Sequence, residues 1–170
     1  DVNVIDKING VKDLSWSAAT PVEVEFNDEK RFFTSVGFPL DRSEVFVESG
    51  AYKADEGKLL KKGDEGKVMI GSQYKSNNLF GRPIKERDNI KINGRDFDVE
   101  GILEPIGNPG DDRLIYMSIK DFRELFDIND RIDFIIVQVN DEEIIDEVSD
   151  RIKKELFKTR HVDEKTRDFV

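Results

Sequence analysis

Alternation of apolar and polar residues with a period of two dominates the first third of the chain. Val22, Val24 and Phe26 alternate with glutamates, the pattern of a half-buried strand. Asn27-Asp28-Glu29-Lys30 turns the chain into a partner strand. There Phe32, Thr34, Val36 and Phe38 share one face and Phe33 points to the other, so both faces are expected to be covered. Ahead of this pair, Val4, Ile5 and Ile8 mark a short helix ended by Gly10, and Val11, Leu14 and Trp16 a strand-like segment. The signal thins between Pro39 and Gly66. Val45-Phe46-Val47 reads as a short strand, residues 49–66 as loops with a helical turn near Leu59-Leu60, and residues 61–67 as a solvated turn.

Residues 67–103 organise the rest. Val68, Met69 and Ile70 form an apolar strand stopping at Gly71, and Ser72 is placed to cap a short helix carrying Tyr74, Leu79 and Phe80, closed by Gly81 and Pro83. A hairpin follows. Ile90 and Ile92 alternate on its first strand, Asn93-Gly94 supplies a type I′ turn, and Phe97, Val99 and Leu103 alternate on the return. Residues 104–113 are rich in Pro, Gly, Asn and Asp and read as a surface loop. Leu114 to Met117 is a short strand. Ser118 caps a helix with Asp121 in its first turn and Ile119, Phe122, Leu125 and Phe126 facing inward. Ile132 to Val139 is a nearly continuous β-branched run, as in a central strand covered on both faces. Asp141 caps the longest helix, striped by Ile144, Ile145, Val148, Ile152 and Leu156, with Glu147–Arg151 and Asp150–Lys154 as i,i+4 pairs on the wet side. A last strand is expected after His161, beginning at Asp168-Phe169-Val170.

Helix and strand at the start, then strand, helix and strand at the end, predict an α+β fold. It would be a split βαβ layer with helices on one face of a sheet and a smaller mixed α/β lobe inserted in the middle. Residues 1–170 are read as a single domain, the layer formed by residues 1–40 and 131–170 and the lobe by 41–130. Neither end reads as a natural terminus, so the chain is expected to be a piece of something longer, with its two ends close together.

Composition narrows the function classes. Lysine and arginine total 27 against 37 acidic residues, a net charge of −10, which argues against nucleic acid and against a basic face for an anionic bilayer. There is no cysteine, hence no disulfide frame and no thiolate metal site. No apolar run approaches the ~20 residues of a membrane helix. No phosphate-binding loop of the GxxxxGK[ST] type is present. Gly71-Ser72 after a strand approaches a nucleophile elbow without completing it, and His161 is the single histidine available as a base. Asp111-Asp112 and Asp163-Glu164 are paired acids in polar loops, where solvated carboxylates are the rule. Asp127, Asn129, Asp130 and Asp133 crowd oxygen ligands into one turn, but lack the glycine and distal glutamate of a calcium loop. A small soluble extracellular hydrolase or calcium-binding module is the alternative class these residues leave open. No catalytic, cofactor-binding or metal-binding residue is assigned. The loop of residues 104–113, with Ile106, Asp111 and Asp112, is a candidate partner contact.

The order of these parts resembles a known family. A strand ending Ile70-Gly71, a helix ending Leu79-Phe80-Gly81, the hairpin with Gly94, Phe97 and Gly101, and the distal Arg113 to Phe126 segment are similar to the MacB-like extracytoplasmic domain of FtsX-, LolE- and MacB-type ABC transporter permeases. The resemblance implies a porter-like layer and a place on the extracytoplasmic face of the cell membrane. It also implies a non-enzymatic role in which cytoplasmic ATPase-driven motion reaches a substrate or partner outside. The implied partners are a second permease subunit, a cytoplasmic ATP-binding subunit acting through the membrane part, and an extracytoplasmic substrate or adaptor. No cofactor is implied, and the matching Gly71, Gly81, Gly94, Gly101, Phe97, Asp168 and Phe169 have structural roles.

Overall fold

The computed structural model describes residues 1–50, 52–76 and 79–169. The order of elements is α1 (Val2–Ile5), β1 (Val11–Phe26), β2 (Glu29–Phe38), α2 (Glu44–Glu48), β3 (Ala54–Gly57), β4 (Lys67–Ile70), β5 (Asn89–Ile92), β6 (Arg95–Leu103), β7 (Ile115–Ser118), α3 (Ile119–Phe126), β8 (Phe134–Val139) and α4 (Ile145–Arg160).

The two apolar segments expected on either side of Ala18 are halves of one 16-residue strand, β1. At the rise of an extended chain this strand spans roughly 50 Å. Its first half pairs antiparallel with β8, from Val11 opposite Val139 to Ser17 opposite Phe134. Its second half pairs antiparallel with β2, from Ala18 opposite Gly37 to Phe26 opposite Glu29. Asn27 and Asp28, both at positive φ, form the two-residue turn between β1 and β2.

Beyond Ala18 the sheet closes on itself. β2 pairs with β7, β7 with β4, β4 with β6, β6 with β5, and β5 returns to β1, giving a six-stranded barrel. The β2–β7 and β4–β6 pairs are parallel. Closure leaves these strands no free edge, which for a small sheet removes a route to aggregation. The closing seam is short, with Val24 opposite Ile92 and Glu25 opposite Lys91. The Asn93 side chain reinforces it by accepting from the Glu23 N–H at 2.9 Å. Asn93 and Gly94 have the positive φ values of the expected type I′ turn. Val22, Val68, Ile90, Phe97, Ile102 and Met117 are among the residues filling the interior.

One register shift changes the alternation expected in β6. Val68 faces Val99, but Met69 faces Gly101, so a bulge turns the strand over. Ile102 therefore continues the inner face, and Leu103 joins an outer cluster with Val36, Phe38, Tyr52, Leu60, Met69 and Tyr116. Residues 43–50 and 52–60 cover that cluster. Here Val45-Phe46-Val47 lies in helix α2, not in a strand, because an apolar run this short fits either period and packing on the barrel decides. Ala54–Gly57 is a strand pairing with the end of β6, and Leu59-Leu60 forms no helical turn. Phe33 packs against the interior cluster, whereas Phe32 is 75% exposed, so the adjacent phenylalanines are not both covered.

The helix expected from Ser72 is a 3-10 turn, Ser72–Lys75, whose N-cap is Gly71 and in which Ser72 makes no capping bond. Tyr74 and Phe80 are fully buried as expected. A Cβ on Gly71 would stand 2.3 Å from the Asp112 carbonyl oxygen, so this backbone crossing admits glycine alone. Ser118 does cap α3. Its Oγ accepts from the Asp121 N–H at 2.9 Å and donates to Asp121 Oδ2 at 2.7 Å. Asp121 is buried and also accepts from the Gly66 N–H at 2.9 Å and from Arg95 at 3.0 Å. One carboxylate thus ties α3 to the 61–67 turn and to β6. That turn is more than solvated, since Asp64 is buried and pairs with Lys67 at 2.9 Å.

The remaining layer contains α1, the first half of β1, β8 and α4, packed around Ile5, Leu14 and Leu156 with Trp16, Ile152 and Phe169. The β-branched run at β8 is an edge strand and not a central one. Among the described residues it pairs with β1 alone, and Phe134 is 66% exposed. One of its faces meets α4 and the other an open groove, so both faces select apolar residues without a second neighbouring strand. Asp141 caps a 3-10 turn, Glu142–Ile144, that runs into α4. On α4, Val148 and Leu156 are buried, Ile145 is largely exposed, and Arg151 pairs with Glu147 at 2.5 Å. Among the described residues there is no Asp150–Lys154 ion pair. Residues 162–169 carry no strand, and Val170 lies outside the described residues. The two chain ends meet at Arg160, which pairs with Asp1 and, at 2.6 Å, with Asp168.

Three outcomes follow from this packing. A Cβ on Gly37 would lie 2.4 Å from the Phe122 side chain, so Gly37→Ala should lower stability by about 1–3 kcal/mol in urea unfolding, the cost of overpacking. Asp121→Ala leaves three donors without their acceptor and should lower it by about 2–4 kcal/mol, with Asp121→Asn milder. For acid stability, burial works against ionised Asp64 and Asp133. Nevertheless Lys67 with the Lys61 N–H, and Arg131 with the Ala19 N–H, hold both carboxyls below the usual aspartate value. Their folded values lie below their unfolded ones, so the stabilisation is complete above the unfolded value and is lost as pH falls through the folded values. The melting temperature should stay level from neutral pH down to about pH 5 and then fall below about pH 4.

Candidate contact groove

Where the barrel meets the terminal layer, a groove of about 610 Å³ runs along the outer sheet face. β1 contributes Ser17 and Ala19, β2 contributes Thr34 and Val36, and β8 contributes Phe134 and Ile136. These positions share a face because opposed residues in an antiparallel pair point the same way, and Ser17 stands opposite Phe134. Phe46 of α2, Tyr52, Leu114 and Tyr116 form the floor, and Ile106 and Asp111 reach in from the 104–113 loop. The lining is mainly apolar. Phe46 stacks on Tyr52 with ring centres 4.8 Å apart, and Tyr52 meets Tyr116 edge-on at 4.9 Å. Burial pushes both phenols well up from their usual value, so their hydroxyls are neutral donors. Among the described residues neither hydroxyl is engaged by a protein acceptor. The site is therefore suited to binding an apolar body with a few polar groups.

The sequence-derived contact loop is divided by the structure. Ile106, 52% exposed, and Asp111 line the groove together. Asp112 does not join them. It is buried and accepts from the Ile106 N–H at 2.8 Å and the Gly107 N–H at 3.2 Å, so it holds the loop in shape. Its reading as a solvated acid is corrected, and its loss would deform the loop. Phe134, Tyr52 and Tyr116 were missed as groove residues. The runs holding Phe134 and Tyr116 signalled burial, and no local pattern distinguishes a groove wall from a core face.

The other candidate chemistry does not assemble. Ser72 lies in the turn after β4 and His161 at the C-terminal end of α4, with no hydrogen bond between them. Asp163 accepts from the Lys165 and Thr166 N–H groups, which draw its carboxyl below the usual value and shape a turn. Asp127 ends α3 at positive φ, and Asp133 is taken by the Ala19 N–H at 2.8 Å and by Arg131. Among the described residues no three His, Cys, Asp or Glu side chains converge on a metal position. None of the described helices is long and apolar enough to cross a membrane.

Comparison with known proteins fits this architecture. Residues 2–155 match the family described as MacB-like periplasmic core domain. An uncharacterized ABC transporter permease of Methanocaldococcus jannaschii is 36% identical over 160 residues, covering 94% of the chain and 40% of the relative, so the chain spans less than half of that protein. The extracellular domain of the noncanonical ABC-type transporter YknZ from Gram-positive bacteria superposes with a TM-score of 0.76 at 17% identity, over 96% of this chain and 83% of that one. The periplasmic region of MacB from Actinobacillus actinomycetemcomitans gives 0.74 at 16% identity, over 94% and 72%. The resemblance read from the strand, hairpin and distal helix thus holds over most of the chain, which belongs to the MacB-like periplasmic core domain family, the extracytoplasmic domains of ABC transporter permeases.

Proposed function

We propose that this domain couples the motion of a membrane permease to a substrate or adaptor outside the membrane, and that it does so without chemistry of its own. The observation that carries this reading is the position of the groove. Its walls come partly from the β1–β8 end of the terminal layer and partly from the barrel, so a change in angle between the two would widen or narrow it. The meeting of both chain ends at Arg160 supports it, as a domain tethered at two neighbouring points needs that geometry. In this reading α1, the first half of β1, β8 and α4 take up motion from the membrane side, and the barrel, which includes the second half of β1 and β2, presents the outer surface. A cytoplasmic ATP-binding subunit drives the motion through the membrane part, and a second permease subunit carries a matching domain. The separation of Ser72 from His161 weighs against the hydrolase reading, and the engagement of Asp133 by the Ala19 N–H weighs against the calcium one.

The test uses Ile106→Ser with Asp111→Ser, leaving Asp112 in place. Both side chains sit at the surface of the groove, so folding stability should change by no more than about 0.5 kcal/mol. In the permease that carries this domain, transport or partner-stimulated ATPase activity should fall several-fold. Full activity from a well-expressed double variant would overturn the assignment.

A further inference from the structure

We infer that residues 40–48 form a latched strap that holds the terminal layer at a fixed angle to the barrel and so sets the resting width of the groove. The inference rests on the reading that the groove works by a change in that angle, and it supplies the element that controls it. The strap consists of a 3-10 turn, Leu40–Arg42, and helix α2. Its side chains reach the two cores by turns. Leu40 and Phe46 pack into the outer cluster of the barrel, the Phe46 ring lying 5.7 Å from that of Phe38 and 4.8 Å from that of Tyr52.

Arg42 and Glu48 turn to the terminal layer instead. Arg42 spans both carboxylate oxygens of Asp6, just past α1, at 3.2 and 3.4 Å, and donates to the Leu14 carbonyl of β1 at 3.4 Å. Glu48 Oε2 accepts from Lys12 of β1 at 3.2 Å and from Gln138 of β8 at 2.6 Å. Gln138 follows Phe134 and Ile136 at the period of a strand, so it shares their face, and the Glu48 latch grips the same sheet face that forms a groove wall.

The two kinds of contact differ in strength. The Lys12 and Glu48 side chains are 50% and 52% exposed, so water competes for the bond and the latch opens easily. The aromatic contacts of Phe46 hold the strap to the barrel while the latches are open. Phe46 is also a floor residue of the groove. A body that enters the groove and lifts this ring carries Glu48, two residues further on, away from Lys12 and Gln138. Filling the groove then frees the terminal layer, and freeing the layer alters the fit in the groove. Such coupling is equal in both directions.

The experiment reads spin-label distances between barrel and terminal layer. The chain has no cysteine, so Phe32→Cys on β2 and Lys154→Cys on α4, both exposed, provide specific label positions. With the latches intact one main distance is expected, and any second population should stay under about a tenth. Glu48→Ala with Arg42→Met removes both latches and leaves the apolar contacts of the strap in place. The second population should then rise to a share comparable with the first. Glu48→Lys alone sets two lysines together and should broaden the distribution as well. Adding Lys12→Glu restores the pair with its charges exchanged, and Gln138 can offer its carbonyl to the lysine, so the single main distance should return. A distribution unchanged by loss of both latches would overturn the proposal, as would one that the charge exchange fails to restore. The distances are read without transport or ATPase activity. Failure here would leave the Ile106 and Asp111 test of the groove standing, and failure of that test would leave the strap in place.

Discussion

Everything in this domain hangs on the unbroken hydrogen-bond ladder of β1. Its first half holds the terminal layer through β8 and its second half is a stave of the barrel, so no flexible linker separates the two. The small residues Ser17 and Ala18 mark the hand-over, both buried, Ser17 on the groove face and Ala18 in the barrel interior. Two side-chain links reinforce it. Arg123 of α3 lies over the Trp16 ring at 5.1 Å, and Asp133 accepts from the Ala19 N–H. A strand running through two cores transmits displacement better than a loop would, because bending it distorts ladder bonds in both. A groove at the hand-over therefore changes width whenever the angle between the two cores changes.

The barrel is stiff for a different reason. Its strands are short, and four-residue strands such as β4, β5 and β7 have little stability alone, so closure and a filled interior must stand in for length. Gly37 lets Phe122 approach the β2 backbone, and Asp121 gathers donors from three segments that are far apart in sequence. Loops 61–67 and 104–113 are then anchored by buried carboxylates, Asp64 and Asp112, rather than left to solvent. A loop held in this way loses less entropy on any binding than a free one.

Much of this was legible in the amino-acid sequence. The Asn93-Gly94 hairpin, the Ser118 cap, the strict alternation through Phe26 and the family resemblance each rest on local chemistry that tertiary context did not override. What failed depended on context. A β-branched run looks the same at a centre and at an edge, so β8 was placed wrongly. Val45-Phe46-Val47 is too short for its period to speak. A bulge opposite Met69 reversed Leu103, and no local signal announces it. Of the candidate contact residues, the surface position of Ile106 and Asp111 was legible because a loop so rich in turn formers must be exposed. Asp112 was not, since its neighbour in sequence has the same polarity and only the fold distinguishes an outward carboxylate from an inward one. The barrel itself was invisible, because closure is a relation between strands remote in the chain.

The meeting of Asp1 and Asp168 on one guanidinium has a topological meaning. A chain that leaves and returns at the same point is, to whatever lies on either side, a very long hairpin loop whose closure entropy the fold has already absorbed. Such a unit is interchangeable. It can be spliced between two adjacent positions of a host, enlarged or exchanged for another, without requiring the host's flanking elements to move apart. Residues far from Arg160 can therefore vary, or be added, without changing the spacing at which the two ends meet.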